Sequence, residues 1–217
     1  MSFGRRAFGL GLAATATSIL AACQKSGDPK WHNINITGSF PALAFTMQRA
    51  SDGKEVTAAG YRGRVVLLYF GYTHCPDVCP TTLANLAIVL KRLGPVSKDV
   101  SVLFATVDPN RDTLPVLARY VALFAPEIVG LRGNKNQIAS LARRYRVAYS
   151  VSPGGNGHPY EVSHSSAIYV FGRSGDARLI IPSMATTNPD IDGTVEDLKA
   201  LVRAPGPGLL ERIFHAV

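Results

Sequence analysis

The sequence predicts an α/β domain in which helices flank a central, mainly parallel β-sheet. Two short apolar runs, Arg64–Phe70 and Val100–Val107, are rich in β-branched and aromatic residues, as is typical of strands buried on both faces. Each run is followed by a segment whose apolar residues recur at helical spacing, so strand and helix alternate along the chain. Alternation of this kind indicates right-handed crossovers between parallel strands.

The elements of the amino-terminal half follow from their apolar spacing and turn residues. An apolar stretch at Phe40–Met47 and the turn pair Asp52–Gly53 predict a β-hairpin ahead of the first central strand. After that strand, Leu83–Leu93 has the apolar stripe of a helix, which Gly94 and Pro95 should end. A second amphipathic helix is predicted at Leu114–Phe124, directly after the second central strand.

The middle of the chain, Ile128–Ser163, is predicted to be an insertion between the two halves of the sheet. Asn134 with Gln137 three residues later indicates a capping box, so a third helix should begin there. Val147–Val151 is a candidate strand, and the glycine-rich turn at 153–157 predicts that it forms a hairpin with the residues that follow.

The last part of the domain adds two strands and a helix. Ser166–Phe171 and Ala177–Ile181 flank a turn at 172–176 and are predicted to be antiparallel. Thr194–Ala204 is predicted to be a capped closing helix. The order βαβα followed by ββα matches a thioredoxin-like central sheet with flanking helices, an amino-terminal β-hairpin and an inserted helix-hairpin segment.

The first 22 residues have the layout of a bacterial export signal. Arg5 and Arg6 precede an apolar run, Ala7–Ala22, that carries no charge and is short for a membrane-spanning helix. The run ends in small residues directly before Cys23, which resembles the lipobox of a lipoprotein. We therefore predict a signal peptide at 1–22, lipidation of Cys23 and a place on the periplasmic face of a bacterial membrane. An ordinary signal peptide is the alternative, and both the general and the twin-arginine export routes remain open.

The remaining boundaries and the charge follow from this interpretation. We expect a tether at 23–39, a thioredoxin-like domain at 40–204 and a carboxy-terminal tail at 205–217. The formal net charge of +8 favours anionic lipids or an acidic protein partner. Nucleic acid is not expected, because the protein is predicted to be exported and contains no basic tract interleaved with aromatic residues.

The chain has three cysteines, so lipidation of Cys23 leaves only Cys75 and Cys79. A single close pair indicates a reactive or metal site rather than a disulfide scaffold. The pair lies between the first central strand and its helix, where open α/β sheets place their sites. At this spacing two sulfurs can share a metal or oxidise, and the nearby helix terminus is expected to favour thiolates. Pro80 is predicted to be the first residue of the regular helix.

Two thiolates and an imidazole form a donor set that suits monovalent copper, whereas structural zinc usually takes four protein ligands. Of the five histidines, His32 falls in the predicted tether, His158 in the glycine-rich turn and His215 in the tail. His74 adjoins the first cysteine, where tuning of the site is favoured over ligation. His164 directly precedes a buried strand predicted to start beside the cysteines, so it is the best candidate.

Several segments resemble the Sco/SenC family over residues 40–202. They are FGYTHCPDVCPTTL (70–83), TVDPNRDT (106–113), FAPEIVGLRG (124–133), YRV (145–147) with YS (149–150), and VSHSSAIY (162–169). The resemblance implies a thioredoxin-like fold that binds copper through Cys75, Cys79 and His164. The donor set favours monovalent copper, and the sequence leaves open whether divalent copper is also bound. The resemblance also implies a role in maturing the binuclear copper centre of cytochrome c oxidase. The implied partners are the copper-accepting oxidase subunit and other periplasmic copper or thiol proteins.

The sequence departs from the family pattern at Ser163, where an aspartate commonly precedes the histidine. Loss of that acid would change imidazole basicity or partner contacts.

Asp108, Arg111 and Asp112 follow the second central strand at the same edge of the sheet. They would either orient the site and contact a partner, or cap the loop and form a surface ion pair; the sequence leaves both interpretations open.

Two functions use the same pair of sulfurs. One is a copper metallochaperone, a binding protein rather than an enzyme, and the other is a membrane-anchored thiol-disulfide oxidoreductase that reduces the oxidase copper ligands or other exported proteins. Redox proteins of this fold usually have two residues between the cysteines and a proline before the facing strand. Here three residues intervene and His164–Ser166 contains no proline, so metal binding is favoured.

Overall fold

The computed structural model describes residues 30–153, 160–182 and 184–205. The strands are β1 (Ile34–Asn35), β2 (Thr46–Arg49), β3 (Glu55–Thr57), β4 (Val65–Gly71), β5 (Val100–Thr106), β6 (Ile128–Arg132), β7 (Tyr149–Pro153), β8 (Tyr160–His164), β9 (Ile168–Phe171) and β10 (Ala177–Ile181). The helices are α1 (Val78–Leu93), α2 (Leu114–Ala122), α3 (Lys135–Arg144) and α4 (Ile191–Arg203), with short 3₁₀ helices at Ala58–Tyr61 and Gly94–Asp99. None of the helices in the described ranges is long and apolar enough to span a membrane.

The strands form one sheet of eight, in the order β1-β10-β9-β4-β5-β6-β2-β3, and a separate pair, β7-β8. At the centre, β4 and β5 are parallel from Val65 opposite Val100 to Gly71 opposite Thr106. β9 pairs antiparallel with β4, and β10 pairs antiparallel with β9. Every residue of β4 and β5 is buried, as their apolar runs predicted. The thioredoxin-like sheet is confirmed.

The sheet is covered on both faces because alternate residues of β4 point in opposite directions. Val65, Leu67 and Tyr69 pack in a cluster with apolar residues of α1, α2 and α4. Val66 and Leu68 pack in a second cluster with residues of α3 and of the amino-terminal hairpin. The side chains of the strand that leads into the cysteine motif are therefore fixed from both sides.

The inserted segment is shorter than the sequence suggested. Ile128–Arg132, expected at the start of the insertion, is a strand of the main sheet that pairs parallel with β5. Gly130 allows this strand to lie against α2, because a Cβ there would be 2.8 Å from Leu117 Cγ. The insertion consists of α3, with the predicted Asn134–Gln137 capping box, and the β7-β8 hairpin.

The predicted amino-terminal hairpin is present as β2 and β3, but the expected tether is not free as far as residue 39. β1 pairs with β10, and Ile36 is buried. The buried Asp197 carboxylate of α4 accepts hydrogen bonds from the backbone N–H groups of His32 and Asn33 at 3.1 and 2.9 Å. The physical reason for the difference is this pair of charge-assisted bonds, which hold a polar segment that carries no strand pattern.

The helix that carries the second cysteine begins earlier than expected. α1 starts at Val78 rather than at Pro80, which is its third residue. The first turn of a helix has no intrahelical acceptor for its N–H groups, so a proline there removes no bond. Cys79 is consequently helical, whereas Cys75 precedes the helix as predicted.

Candidate metal centre

Three separate elements bring Cys75, Cys79 and His164 together. Cys75 lies in the loop after β4, Cys79 in the first turn of α1, and His164 at the end of β8. Their ligand atoms all lie within 4.8 Å of one another, and no other group of three or more His, Cys, Asp or Glu residues in the described ranges is placed to hold a metal. The structure therefore brings together the three residues that the sequence singled out.

The distances in this group are close to those that one ion needs. Three donors on a trigonal ion with bonds of about 2.0–2.3 Å lie roughly 3.5–4.0 Å apart. The measured separation of Cys79 Sγ and His164 Nε2 is 3.2 Å, and the largest separation in the group is at most 4.8 Å. Shifts of under about 1 Å, for which the partly exposed Cys75 has the most room, would produce a three-coordinate site.

The orientation of His164 leaves one ring nitrogen free to bind. Its Nδ1 lies 2.9 Å from the carbonyl oxygen of Ser165. A carbonyl can only accept, so Nδ1 carries the proton and Nε2 presents its lone pair to Cys79. Burial lowers the pKa of His164, which favours the neutral imidazole that metals bind.

Cys79 lies in a different environment from the one that its helix position suggested. Its side chain is fully buried, and burial raises the pKa of its thiol to about 12. In the copper-free protein, burial therefore opposes the thiolate that the helix terminus was expected to favour. In the free protein the Cys79 S–H donates to His164 Nε2, and a metal ion would replace that proton.

Neighbouring residues pack closely around the Cys79 sulfur and the His164 ring. A Cβ on Gly71 would lie 2.9 Å from Cys79 Sγ, so only glycine leaves room for the sulfur. The rings of Tyr69 and Tyr72 meet the His164 ring edge-on, with centroids 6.0 and 5.7 Å away. The Tyr69 hydroxyl lies 3.6 Å from Cys79 Sγ, and the Tyr72 hydroxyl donates to the carbonyl of Val162 at 2.9 Å.

Asp112 fixes the loop that leads to Cys75. Its fully buried carboxylate accepts from the Thr73 N–H at 3.0 Å, the Thr73 hydroxyl at 2.6 Å and the Thr106 hydroxyl at 2.5 Å. His74 is half exposed, and its Nδ1 lies 3.7 Å from the same carboxylate rather than in the metal group. Asp112 thus caps the loop, and His74 is not one of the clustered donors.

Asp108 and Arg111 connect the second central strand to the hairpin that carries His164. The buried Asp108 carboxylate pairs with Arg111 and accepts from the Tyr160 hydroxyl at 2.7 Å. The Arg111 guanidinium lies over the ring of Tyr160, 4.2 Å from its centroid, and 5.7 Å from that of Tyr72. This cluster is partly buried rather than a free surface pair, and it holds β8 against the sheet.

Other residues singled out from the sequence lie elsewhere. Cys23, His158 and His215 are outside the described residues. His32 lies against α4, with Nε2 2.9 Å from a carboxylate oxygen of Glu196.

The hydroxyl of Ser163, at the position where the family commonly has aspartate, lies 2.8 Å from that of Ser150 on the neighbouring strand.

Sequence reasoning missed Tyr69, Gly71 and Tyr160. Tyr69 and Gly71 lie in the strand run and its end and have no spacing signal of their own.

The chain is similar to proteins from mitochondria and bacteria. It is 47% identical over 125 residues to "Protein SCO2 homolog, mitochondrial" of Bos taurus, an alignment that covers 57% of this chain and 47% of the relative. It is 33% identical over 144 residues to "SCO2-like protein" of Rickettsia felis, covering 66% of this chain and 67% of the relative. The chain spans about half the length of the mammalian relatives it matches.

Solved structures show the same fold. ScoI of Bradyrhizobium japonicum with copper bound superposes with a TM-score of 0.65 at 33% identity, covering 74% of this chain and 98% of that one. ScoI of Arabidopsis thaliana with copper bound gives 0.66 at 34% identity, with coverage of 76% and 99%. The family model described as SCO1/SenC matches residues 42–203, most of the chain. The chain belongs to the SCO1/SenC family.

Proposed function

We propose that this protein is a copper metallochaperone that binds one copper ion through Cys75, Cys79 and His164 and passes it to the copper-accepting subunit of cytochrome c oxidase. The observation that carries the proposal is the grouping of these three donor atoms within 4.8 Å. It is supported by relatives of the same fold whose structures hold copper.

The chemistry of the donors selects the ion. Thiolates are soft ligands that favour monovalent copper, and a neutral imidazole completes a three-coordinate set. A fourth protein ligand, as in structural zinc sites, is not grouped with these donors in the described residues. We infer that monovalent copper is the main cargo and that divalent copper is a second form.

The unequal burial of the two sulfurs indicates how copper would leave. Cys75 is partly exposed, whereas Cys79 is fully buried. An incoming thiolate of the acceptor can reach copper only from the exposed side. Exchange would therefore begin at the two partly exposed donors, Cys75 and His164, while the fully buried Cys79 holds the ion until a second acceptor ligand arrives.

The proposal also covers the cellular location of the protein and the two ends of the chain. We infer export by a signal peptide at 1–22, lipidation at Cys23, and a place on the periplasmic face of a bacterial membrane. Removal of residues 1–22 takes away Arg5 and Arg6 and no acidic residue, so 21 basic and 15 acidic residues remain and the formal net charge falls from +8 to +6. This charge is compatible with a nearby anionic bilayer or an acidic acceptor surface. The thioredoxin-like domain would end at about residue 204 and be followed by a tail at 205–217.

A copper titration of the reduced protein tests the proposal. We expect one monovalent copper per chain in the wild type and weaker binding by His164→Ala, with an unchanged fold by circular dichroism. His74→Ala is the matched control, because it removes an imidazole beside Cys75 that is not grouped with the donors. Equal affinity in the wild type and His164→Ala, or an X-ray absorption spectrum without a nitrogen neighbour, would overturn the three-ligand site.

The thiol-disulfide oxidoreductase is not favoured by the site. A reductase needs a thiolate nucleophile, and burial raises the pKa of Cys79 to about 12. The partly exposed Cys75 is the sulfur that a disulfide substrate could reach. Rapid turnover of a disulfide substrate with copper removed would promote this function over copper transfer.

A further inference from the structure

Tyr69 places a hydroxyl against the buried ligand of the site. It is the fifth residue of the central strand β4, its side chain is fully buried, and its Oη lies 3.6 Å from Cys79 Sγ. The ring has little freedom to turn away, because it packs 5.8 Å from the Phe104 ring and 6.0 Å from that of His164, measured between centroids. The contact is therefore built into the sheet rather than into a loop.

The direction of this hydrogen bond is fixed once copper is bound. A copper-bound Cys79 has lost its proton and can only accept, so the phenol must be the donor. A bond from a hydroxyl to a charged sulfur is stronger than one to a neutral thiol. The contact seen in the free protein would thus strengthen in the loaded one.

We propose that Tyr69 is a positioning residue that donates a hydrogen bond to the copper-bound Cys79 thiolate and biases the site toward monovalent copper. This inference rests on the proposed function, since it concerns the same site. Hydrogen bonds to a ligating sulfur draw electron density away from the metal. Divalent copper depends more on that density than monovalent copper does, so the bond weakens binding of the divalent ion more.

Replacement of the phenol by a phenyl ring tests the inference directly. In Tyr69→Phe we expect the ratio of divalent to monovalent copper affinity to rise by about two- to tenfold, the effect of one hydrogen bond. Each affinity is measured by competition with a chelator specific for that oxidation state. The thiolate-to-copper absorption band of the divalent form should move to longer wavelength, because the sulfur becomes a better electron donor.

Tyr120→Phe is the matched control. The Tyr120 hydroxyl is also buried, and it has no hydrogen-bond partner among the described residues; its ring packs 5.7 Å from the same Phe104. Loss of this hydroxyl should change neither the affinity ratio nor the band. A variant in the opposite direction is Tyr69→3-fluorotyrosine, which keeps the shape of the side chain and donates more strongly. It should lower the ratio and move the band to shorter wavelength.

The outcomes separate this inference from the proposed function. If the wild type binds no copper, the proposed function fails. If the wild type binds copper but Tyr69→Phe and Tyr69→3-fluorotyrosine leave the ratio and the band unchanged, the role of Tyr69 is wrong while the metal site stands. If Tyr69→Phe does not fold, the fluorinated variant alone decides, since its ratio must fall below that of the wild type.

Discussion

Gly71→Ala is the sharpest test of how the structure holds the buried sulfur. Gly71 is the last residue of β4, and a Cβ there would lie 2.9 Å from Cys79 Sγ, 2.8 Å from Cζ of Phe104 and closer still to Cε2 of the same ring. Ordinary contacts between such atoms are about 3.5–4.0 Å, so the sulfur has to move by roughly 0.6–1 Å and the ring by about 1 Å or more. Neither neighbour can move freely, because Phe104 lies in the fully buried strand β5 and Cys79 in the first turn of α1.

Two quantities follow from this crowding. Overpacking of a dense core costs about 1–3 kcal/mol, so we expect the free energy of unfolding of the copper-free protein to fall by that amount in denaturant titration. If part of the strain is relieved by displacing the sulfur, monovalent copper should bind about tenfold more weakly, the equivalent of roughly 1.4 kcal/mol. A competition titration with a monovalent copper chelator measures this loss.

Gly60→Ala is the control for this experiment. A Cβ at Gly60 would meet no atom within 4 Å, and this glycine has no left-handed backbone, so both quantities should stay within error of the wild type. The reasoning would be refuted if Gly71→Ala matched the wild type in stability and in copper affinity. A loss of stability with unchanged copper affinity would show that Phe104, not Cys79, gives way.

Three further outcomes are expected. The pKa of Cys79 is raised from 9.0 to about 12 in the folded copper-free protein. Its contribution to stability is therefore complete below pH 9 and is lost between pH 9 and about 12. Denaturant titrations of the wild type and Cys79→Ala should show the difference between their free energies of unfolding shrinking across this range. Asp112→Asn leaves buried donors poorly paired and should lower the free energy of unfolding by about 1–3 kcal/mol, whereas Asp192→Asn, with a side chain that is 83% exposed, should change it little. Tyr160→Phe removes the hydroxyl that binds Asp108 and should speed amide exchange in β8 and weaken copper binding several-fold, unless the hairpin is held by its strand pairing alone.

The sheet was predictable because its signals are local. Buried strands need long apolar runs, and the runs of β4 and β5 predicted every boundary to within one residue of the one observed. The capping box at Asn134 and Gln137 is a reciprocal pair of bonds between near neighbours, so it too could be recognised. The grouping of Cys75 and Cys79 required only their spacing.

What the sequence did not reveal depends on contacts between distant segments. β1 is only two residues long, and the chain around it is held by Asp197, more than 160 positions away. The pKa of Cys79 depends on the burial of its sulfur, which no local pattern encodes. The contacts of Tyr69 with Cys79 and of Tyr160 with Asp108 likewise form only when distant segments meet.

The backbone N–H groups of His32 and Asn33, which donate to Asp197, mark where the chain is first held by the folded domain. They therefore set the length of the connection between the domain and a lipid on Cys23. With the chain held from residue 31 onward, a lipid on Cys23 would be joined to the domain by eight residues, which span at most about 27 Å when fully extended. The tether expected at 23–39 would have allowed about twice that distance. Under the proposed lipidation, a domain with so short a connection would stay in a thin layer beside the bilayer, where its effective concentration toward other membrane-bound proteins would be high. An acceptor would then have to present its copper site within that layer, so the bonds to Asp197 on α4 would limit partners by the height of their copper site above the membrane.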